Sequence, residues 1–194
     1  MSAALTLTAL GCVRGDRTLF TGLDLALEAG GAALVTGPNG AGKTSLLRLI
    51  AGLLPVHAGS ITIEGTIAFA GEHAALDREL PLERALAYWV RLDGRDAGAI
   101  STALGRMALT DLADVPVRML STGQSKRAAL ARVIAGGADI WLLDEPGNGL
   151  DIDARTRLET AIAEHRADGG IVIAATHQPL AIPDAAPIEI GNGA

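Results

Sequence analysis

Short apolar runs alternate along the chain with longer segments in which apolar residues recur every three or four positions. The first pattern predicts strands and the second predicts helices. Strands are predicted at residues 5–8, 23–27, 32–36, 60–63, 67–70, 140–143, 171–175 and 188–190, and helices at residues 44–51, 121–135 and 152–167. Strands that alternate with helices in this way predict an α/β fold with a mostly parallel central sheet.

The chain changes character between residues 82 and 110. This region is rich in alanine, carries charges at helical spacing, and is interrupted by a glycine-containing break at residues 93–98. We expect two or three helices here, which with the following helix make a helical subdomain at about residues 82–135. The length of 194 residues is that of one domain, so residues 1–194 are expected to form a single unit with this subdomain inserted.

Composition narrows the possible functions. Apolar residues make up 49% of the chain but aromatic residues only 3%, so the core is expected to be aliphatic. The net charge of −6 argues against a surface that coats nucleic acid, yet it leaves room for a nucleotide, which needs only local positive groups. Cys12 is the only cysteine, which excludes an internal disulfide and is compatible with a reducing compartment.

A membrane span is not predicted. The most apolar early stretch, residues 46–54, contains Arg48 and is far shorter than the roughly 20 residues that a helix needs to cross a bilayer. The first ten residues lack the basic segment of a signal peptide. We therefore expect a cytoplasmic protein whose membrane task, if it has one, is carried out through a partner.

The strongest chemical signal is a phosphate-binding loop of the form G-x-x-x-x-G-K-[ST], placed between a predicted strand and a predicted helix. Its glycines let backbone N–H groups close around phosphates, and the following helix adds its positive end. Lys43 is predicted to contact the β- and γ-phosphates and Thr44 to bind Mg²⁺. The predicted nucleotide-binding residues are Gly37, Pro38, Asn39, Gly40, Ala41, Gly42, Lys43, Thr44 and Ser45.

Two carboxylates follow the apolar strand at residues 140–143. Asp144 is placed to ligate the metal ion, and Glu145, one residue further on, to polarise a water for attack on the γ-phosphate. Taken alone, an apolar run followed by Asp-Glu is a weak signal, because many strands leave the core through solvated acids.

Three further segments carry polar residues at the ends of predicted elements. Ser121 begins a helix as an N-cap, and Gly123 and Gln124 follow in a stretch of small residues that exposes backbone N–H groups to an anion. Asp151 precedes another helix and by itself indicates an ordinary N-cap. His177 ends a β-branched strand, a position where histidine is more often structural or merely exposed.

Taken together and in this order, these segments resemble the ABC-type ATPases over nearly the whole chain. Residues 120–124, Leu-Ser-Thr-Gly-Gln, resemble the LSGGQ signature of that family, with Thr122 in place of its first glycine. The resemblance implies a nucleotide-binding cassette with an antiparallel β subdomain, and it implies ATP and Mg²⁺ as cofactors. It also implies that the signature contacts ATP held by a second copy of the chain, that Asp151 lies in a loop at that interface, and that His177 contacts the γ-phosphate.

Two positions depart from the family pattern. Arg14 stands where an aromatic residue usually stacks on adenine, although a guanidinium can also stack on a flat ring. His73 stands where a glutamine usually approaches Mg²⁺ or water. Histidine can donate or accept one bond there, but an exposed, uninvolved His73 is an open alternative.

Several stretches are similar to one branch of the family, the haem-exporter ATPase of cytochrome c maturation. They are residues 17–23, Arg-Thr-Leu-Phe-Thr-Gly-Leu, and residues 169–173 and 176–180, together with Arg14 and the short C-terminus. This similarity implies two integral membrane proteins as partners and a peripheral position on the cytoplasmic face of the bacterial inner membrane.

Three other classes compete with a transporter ATPase. A soluble ABC ATPase of DNA repair would need a long coiled-coil insertion between the phosphate loop and the signature, and one of translation usually has two cassettes. A phosphate-loop kinase would leave the signature and His177 unexplained. A degenerate nucleotide sensor disagrees with the intact Lys43, Asp144 and Glu145.

Overall fold

The computed structural model describes residues 3–71 and 74–191 and contains two sheets. The strands are β1 Ala4–Arg14, β2 Arg17–Glu28, β3 Ala32–Thr36, β4 Ala58–Glu64, β5 Ile67–Ala70, β6 Ile140–Asp144, β7 Ile171–Ala175 and β8 Ala186–Glu189. Strands β1, β2 and β4 form an antiparallel sheet in the order β2-β1-β4, and the other five form a parallel sheet in the order β5-β6-β7-β3-β8. The predicted α/β fold with a mostly parallel central sheet is confirmed.

Five helices accompany the sheets within the described residues. They are α1 Lys43–Ile50, α2 Leu82–Leu92, α3 Gly98–Arg106, α4 Thr122–Gly136 and α5 Ile152–Ala167, with short 3₁₀ turns at Thr110–Leu112 and Val117–Met119. Among the described residues between β5 and β6, all regular structure is therefore helical, apart from a single antiparallel bridge between Pro81 and Pro116. Within the same residues, no helix combines the length and the apolar character that crossing a bilayer requires.

The first hairpin is longer than its alternation pattern indicates. Strand β1 was expected at residues 5–8 but continues to Arg14, and its pairing with β2 shifts register between Leu7 and Leu10. Ala9, inside this shift, has φ 46°, a left-handed value that marks a bulge. The bulge breaks the two-residue period, so only the first half of the strand has the pattern that predicts a strand.

The central strands are buried on both faces and separate two cores. Ile140 and Leu142 of β6 pack with the antiparallel sheet and α1, whereas Trp141 and Leu143 pack with the helices on the other face. This division follows from the alternation of side chains along a strand. It explains why β6 and β7 have continuous apolar sequences, as is usual for parallel strands covered on both sides.

A half-buried histidine stacks on a tryptophan of the second core. The rings of Trp141 and His165 are parallel within 7°, with centroids 3.9 Å apart. The His165 ring fills the space in front of Gly170, since a Cβ there would lie 2.1 Å from His165 Nε2. Nε2 is buried and has no hydrogen-bond partner among the described residues. Burial lowers the pKa of His165 below its ordinary value of 6.5, although backbone hydrogen bonds at Ile171 and Asp139 act in the opposite direction.

This lowered pKa makes stability depend on pH. In the unfolded chain His165 binds a proton near pH 6.5, while in the folded chain it stays neutral to a lower pH. Unfolding therefore takes up a proton in that window, and stability falls as the pH drops below about 6.5. The test is to measure the free energy of unfolding by chemical denaturation at about pH 7.5 and at about pH 5.5. Between these two pH values it should decrease less in His165→Phe than in the wild type. His57→Phe, at an exposed histidine, is the control and should follow the wild type. Equal pH dependence in the wild type and His165→Phe would contradict this role of His165.

Candidate nucleotide site

The phosphate loop joins the end of β3 to the start of α1. Gly37, Gly40 and Gly42 all have positive φ, at 142°, 77° and 116°, which side chains other than glycine rarely adopt. At Gly37 space is also limiting, because a Cβ there would lie 2.1 Å from the carbonyl oxygen of Ile190. Glycine thus lets the loop pass close to the end of β8 and turn back into α1.

Lys43 is the first residue of α1, at the end of this loop, and is almost fully buried. Its ammonium donates to the carbonyl oxygens of Gly37, at 2.9 Å, and Pro38, at 3.2 Å. It also lies 4.0 Å from Glu145 Oε1. A buried ammonium surrounded by carbonyl and carboxylate oxygens is held in one place, where its charge can act on phosphates.

Thr44 and Asp144 meet although they are far apart in the sequence. Thr44 Oγ1 donates to Asp144 Oδ1 at 3.1 Å. Burial raises the pKa of the Asp144 carboxyl above its ordinary value, the bond from Thr44 lowers it, and the nearby Glu145 carboxylate raises it again. A hydroxyl and one carboxylate are donors that Mg²⁺ uses together with phosphate oxygens. The residues present therefore fit that ion, although the described part of the chain has no cluster of three or more His, Cys, Asp or Glu residues.

Glu145 adopts an unusual backbone conformation beside His177. Its φ is 48°, and its N–H donates to the carbonyl of Ala175 at 2.8 Å. Its Oε2 accepts the backbone N–H of His177 at 3.3 Å and lies 2.9 Å from His177 Nδ1. Since an ionised carboxylate can only accept, His177 Nδ1 is the donor in this contact.

These groups line one cavity of about 540 Å³ at the carboxyl ends of the central strands. Ligands of open α/β sheets characteristically bind at this edge. Of the predicted residues, the lining contains Asn39, Gly40, Gly42, Lys43, Thr44, Ser45, Asp144, Glu145 and His177. The sequence analysis missed Leu19, Lys126 and Asn148, which also line the cavity. Lys126 had one usable signal, a basic residue five positions after the helix N-cap Ser121.

The remaining predicted residues lie elsewhere. Gly37, Pro38 and Ala41 belong to the phosphate loop but not to the cavity lining. Arg14 lies exposed at the tip of the β1–β2 hairpin, outside the cavity, whereas Leu19 of the same hairpin lines it. His73 falls outside the described residues.

The signature residues do not line the cavity, although Lys126, further along α4, does. Ser121 and Gln124 make a reciprocal cap at the start of α4, with Ser121 N–H bonded to Gln124 Oε1 at 2.8 Å and Gln124 N–H to Ser121 Oγ at 3.3 Å. A Cβ on Gly123 would lie 3.5 Å from the carbonyl of Gly149. Asp151, just beyond, caps α5 by accepting the Ala154 N–H at 2.7 Å. Ser121, Gly123, Gln124 and Asp151 thus lie near one another but outside the cavity of their own chain.

Comparison with known proteins agrees with this arrangement. Residues 20–148 match the family model described as ABC transporter. The chain is 56% identical over 191 residues to the cytochrome c biogenesis ATP-binding export protein CcmA of Sphingopyxis alaskensis, covering 98% of each protein. It is 54% identical to the CcmA protein of Zymomonas mobilis, covering 94% of this chain and 82% of that protein.

Solved structures show the same fold. An ABC transporter ATP-binding protein from Pyrococcus furiosus superposes with a TM-score of 0.84 at 28% identity, covering 96% of both chains. A metal-chelate type ABC transporter in an inward-facing conformation superposes with a TM-score of 0.82 at 25% identity, covering 98% of this chain and 80% of that one.

With a phosphate loop, Asp144, Glu145 and His177 arranged around one cavity, and with relatives this similar along the whole chain, the protein belongs to the ATP-binding, ATP-hydrolysing subunits of ABC transporters, in the family of cytochrome c biogenesis ATP-binding export proteins.

Proposed function

We propose that this chain hydrolyses ATP to drive a membrane exporter that supplies haem for cytochrome c biogenesis. The observation that carries the proposal is the Glu145 carboxylate, held between Lys43 and His177 at the edge of the phosphate loop. The export role follows the printed name of the relatives, which match this chain over almost its full length.

In the proposed reaction each residue has one task. Lys43 binds the β- and γ-phosphates and offsets their charge. Thr44 and Asp144 would hold Mg²⁺, which supplies further charge neutralisation at the phosphates. Glu145 accepts a proton as the oxygen of a water bonds to the γ-phosphorus and the bond to the β–γ bridging oxygen breaks. His177 keeps the Glu145 carboxylate oriented through its backbone N–H and Nδ1.

The proposed working unit contains two copies of the chain. The capped start of α4 presents backbone N–H groups that suit an anion, yet it lies outside the cavity of its own chain. Ile152, next to Asp151, is 84% exposed and adds an apolar side chain to this surface. A second copy related by a two-fold axis would place each signature against the ATP of the other chain, so that ATP joins the two surfaces.

The proposed membrane partners are two multi-span proteins that bind the helical region. On α2, Tyr88 and Leu92 are exposed one turn apart, and Arg91 lies beside them on the same surface. A groove of about 630 Å³ lies beside this region, and its lining includes Leu76, Arg78, Arg118 and Ser125. Binding to these partners implies a peripheral position on the cytoplasmic face of the bacterial inner membrane.

The first test separates ATP binding from hydrolysis. Glu145→Gln should bind ATP as the wild type does and should hydrolyse it about 10²–10⁴-fold more slowly, because it loses its proton acceptor. Lys43→Ala should instead lose ATP binding, measured with a fluorescent ATP analogue. If Glu145→Gln hydrolyses ATP at close to the wild-type rate, Glu145 is not the base.

The second test concerns pairing. Light scattering of Glu145→Gln with ATP and Mg²⁺ should give twice the monomer mass, since ATP is bound but not consumed. Adding Ser121→Arg should abolish the doubling, because it places bulk and charge at the proposed contact with the other copy. Ser101→Arg, an exposed serine on α3, is the matched control and should leave it intact. A monomer that persists in saturating ATP would contradict the shared site.

The third test addresses the biological role. A strain without the gene should accumulate apo-cytochromes c, and affinity purification of the chain from membranes should recover two multi-span proteins. Arg91→Glu should weaken that recovery without affecting ATP binding, whereas Arg157→Glu on α5 serves as a control of equal charge change. Normal holo-cytochromes c in the deletion strain would refute the haem role and leave the ATPase assignment in place.

A further inference from the structure

Arg155 connects helix α5 to the segment that carries His177. It lies one turn after the N-cap Asp151, and its Nη2 donates to Gln178 Oε1 at 3.1 Å. Its Nε is buried, has no hydrogen-bond partner in the described part of the chain, and lies 3.9 Å from where a Cβ on Gly147 would be. The guanidinium therefore sits between the loop that follows Glu145 and the loop that contains His177.

The His177 loop is otherwise a small turn closed by its own residues. Thr176 Oγ1 accepts the N–H of Gln178 at 2.9 Å and donates to the carbonyl of Gln178 at 3.1 Å. The N–H of Thr176 donates to the carbonyl oxygen of Val35 at 3.0 Å, and this bond anchors the turn to the central sheet on one side. The Gln178 side chain anchors it to α5 on the other side, through Arg155.

His177 lies between these two anchors. Both its backbone N–H and its Nδ1 contact Glu145 Oε2, so the position of the turn determines how the Glu145 carboxylate is held. A displacement of about 1 Å in such a contact is enough to cost about 10²-fold in rate. Arginine suits the anchoring role because its planar group is rigid and presents several donors in fixed directions.

We propose that Arg155 is a positioning residue for ATP hydrolysis: through Gln178 it holds His177 where His177 orients the Glu145 carboxylate. This inference rests on the proposed roles of Glu145 and His177. Helix α5 begins directly after its N-cap Asp151, in the surface proposed to meet the second copy. Arg155 therefore also gives that surface a direct connection to the reacting centre, two hydrogen-bonded side chains long.

Kinetics of the full chain test the connection. Arg155→Leu and Gln178→Leu should each lower kcat about tenfold and leave the KM for ATP nearly unchanged, because neither residue lines the nucleotide cavity. The double variant should lose no more than either single variant, since both remove the same link. Arg155→Lys should recover part of the loss. Arg157→Leu, two residues along the same helix and exposed, is the matched control and should retain wild-type kcat.

A spectroscopic measurement distinguishes positioning from a merely structural role. The chain has four histidines, so ¹⁵N-labelled histidine gives few signals, and His177→Gln identifies that of His177. The Nδ1 resonance of His177 should move toward that of a non-hydrogen-bonded ring in folded Arg155→Leu. Wild-type kcat with an unmoved Nδ1 resonance, or additive losses in the double variant, would overturn the proposal.

His177→Ala, measured in parallel, separates the two possible failures. If it hydrolyses ATP at the wild-type rate, the proposed role of His177 is wrong and the positioning role of Arg155 falls with it. If His177→Ala is slow while Arg155→Leu matches the wild type, only the positioning role is refuted.

Discussion

The hydrogen bond from the Glu145 N–H to the Ala175 carbonyl determines where the chemistry of this protein can take place. It continues the pairing of β6 with β7 one residue beyond Asp144, which itself stands opposite Ala175 in the parallel register. The bond holds Glu145 at a left-handed φ, and from there its carboxylate reaches both Lys43 and His177. A slip of one residue in this register would exchange the faces of Asp144 and Glu145 and separate each from its partner.

The same pairing of β6 with β7 brings two negative charges close together. Asp144 and Glu145 are adjacent carboxylates in a partly buried site, and burial and mutual repulsion both raise the pKa of Asp144. The arrangement is offset by the Thr44 hydroxyl and by Lys126 and Arg48, whose positive charges act in the opposite direction on that carboxyl. A site with two carboxylates, two lysines and a glycine-rich phosphate loop suits a ligand with both strong negative charge and a divalent cation, as a nucleotide with Mg²⁺ has.

The parts that the sequence predicts well are those that depend on local pattern. The continuous apolar run before Asp144 and the glycines of the phosphate loop have the same meaning in any α/β protein, so the central sheet and the meeting of Thr44 with Asp144 follow from them. The bulge at Ala9, the stacking of His165 on Trp141 and the contact of Arg155 with Gln178 do not follow. Each depends on how two segments pack against each other, and the spacing of apolar residues along the sequence does not reveal that packing. Arg14 lies at an exposed hairpin tip outside the cavity, so its contact with adenine stays a prediction from family resemblance.

The separation between the cavity and the signature surface bears on how ATP binding could be converted into movement. The cavity of one chain contains the phosphate loop and the Asp144–Glu145 strand end, while the capped start of α4 lies outside that cavity beside Gly149. In the proposed pair of copies, ATP changes the arrangement only by favouring the paired state over the separate state. A membrane partner can be moved by this change only if it prefers one of these two states. The helical region between β5 and β6 is suited to connect the two, because it includes both the start of α4 and the exposed face of α2. Helix α5 begins directly after Asp151 and carries Arg155, which contacts the turn of His177. In the proposed pair of copies, this one helix therefore connects the surface that meets the second copy with the site of bond cleavage.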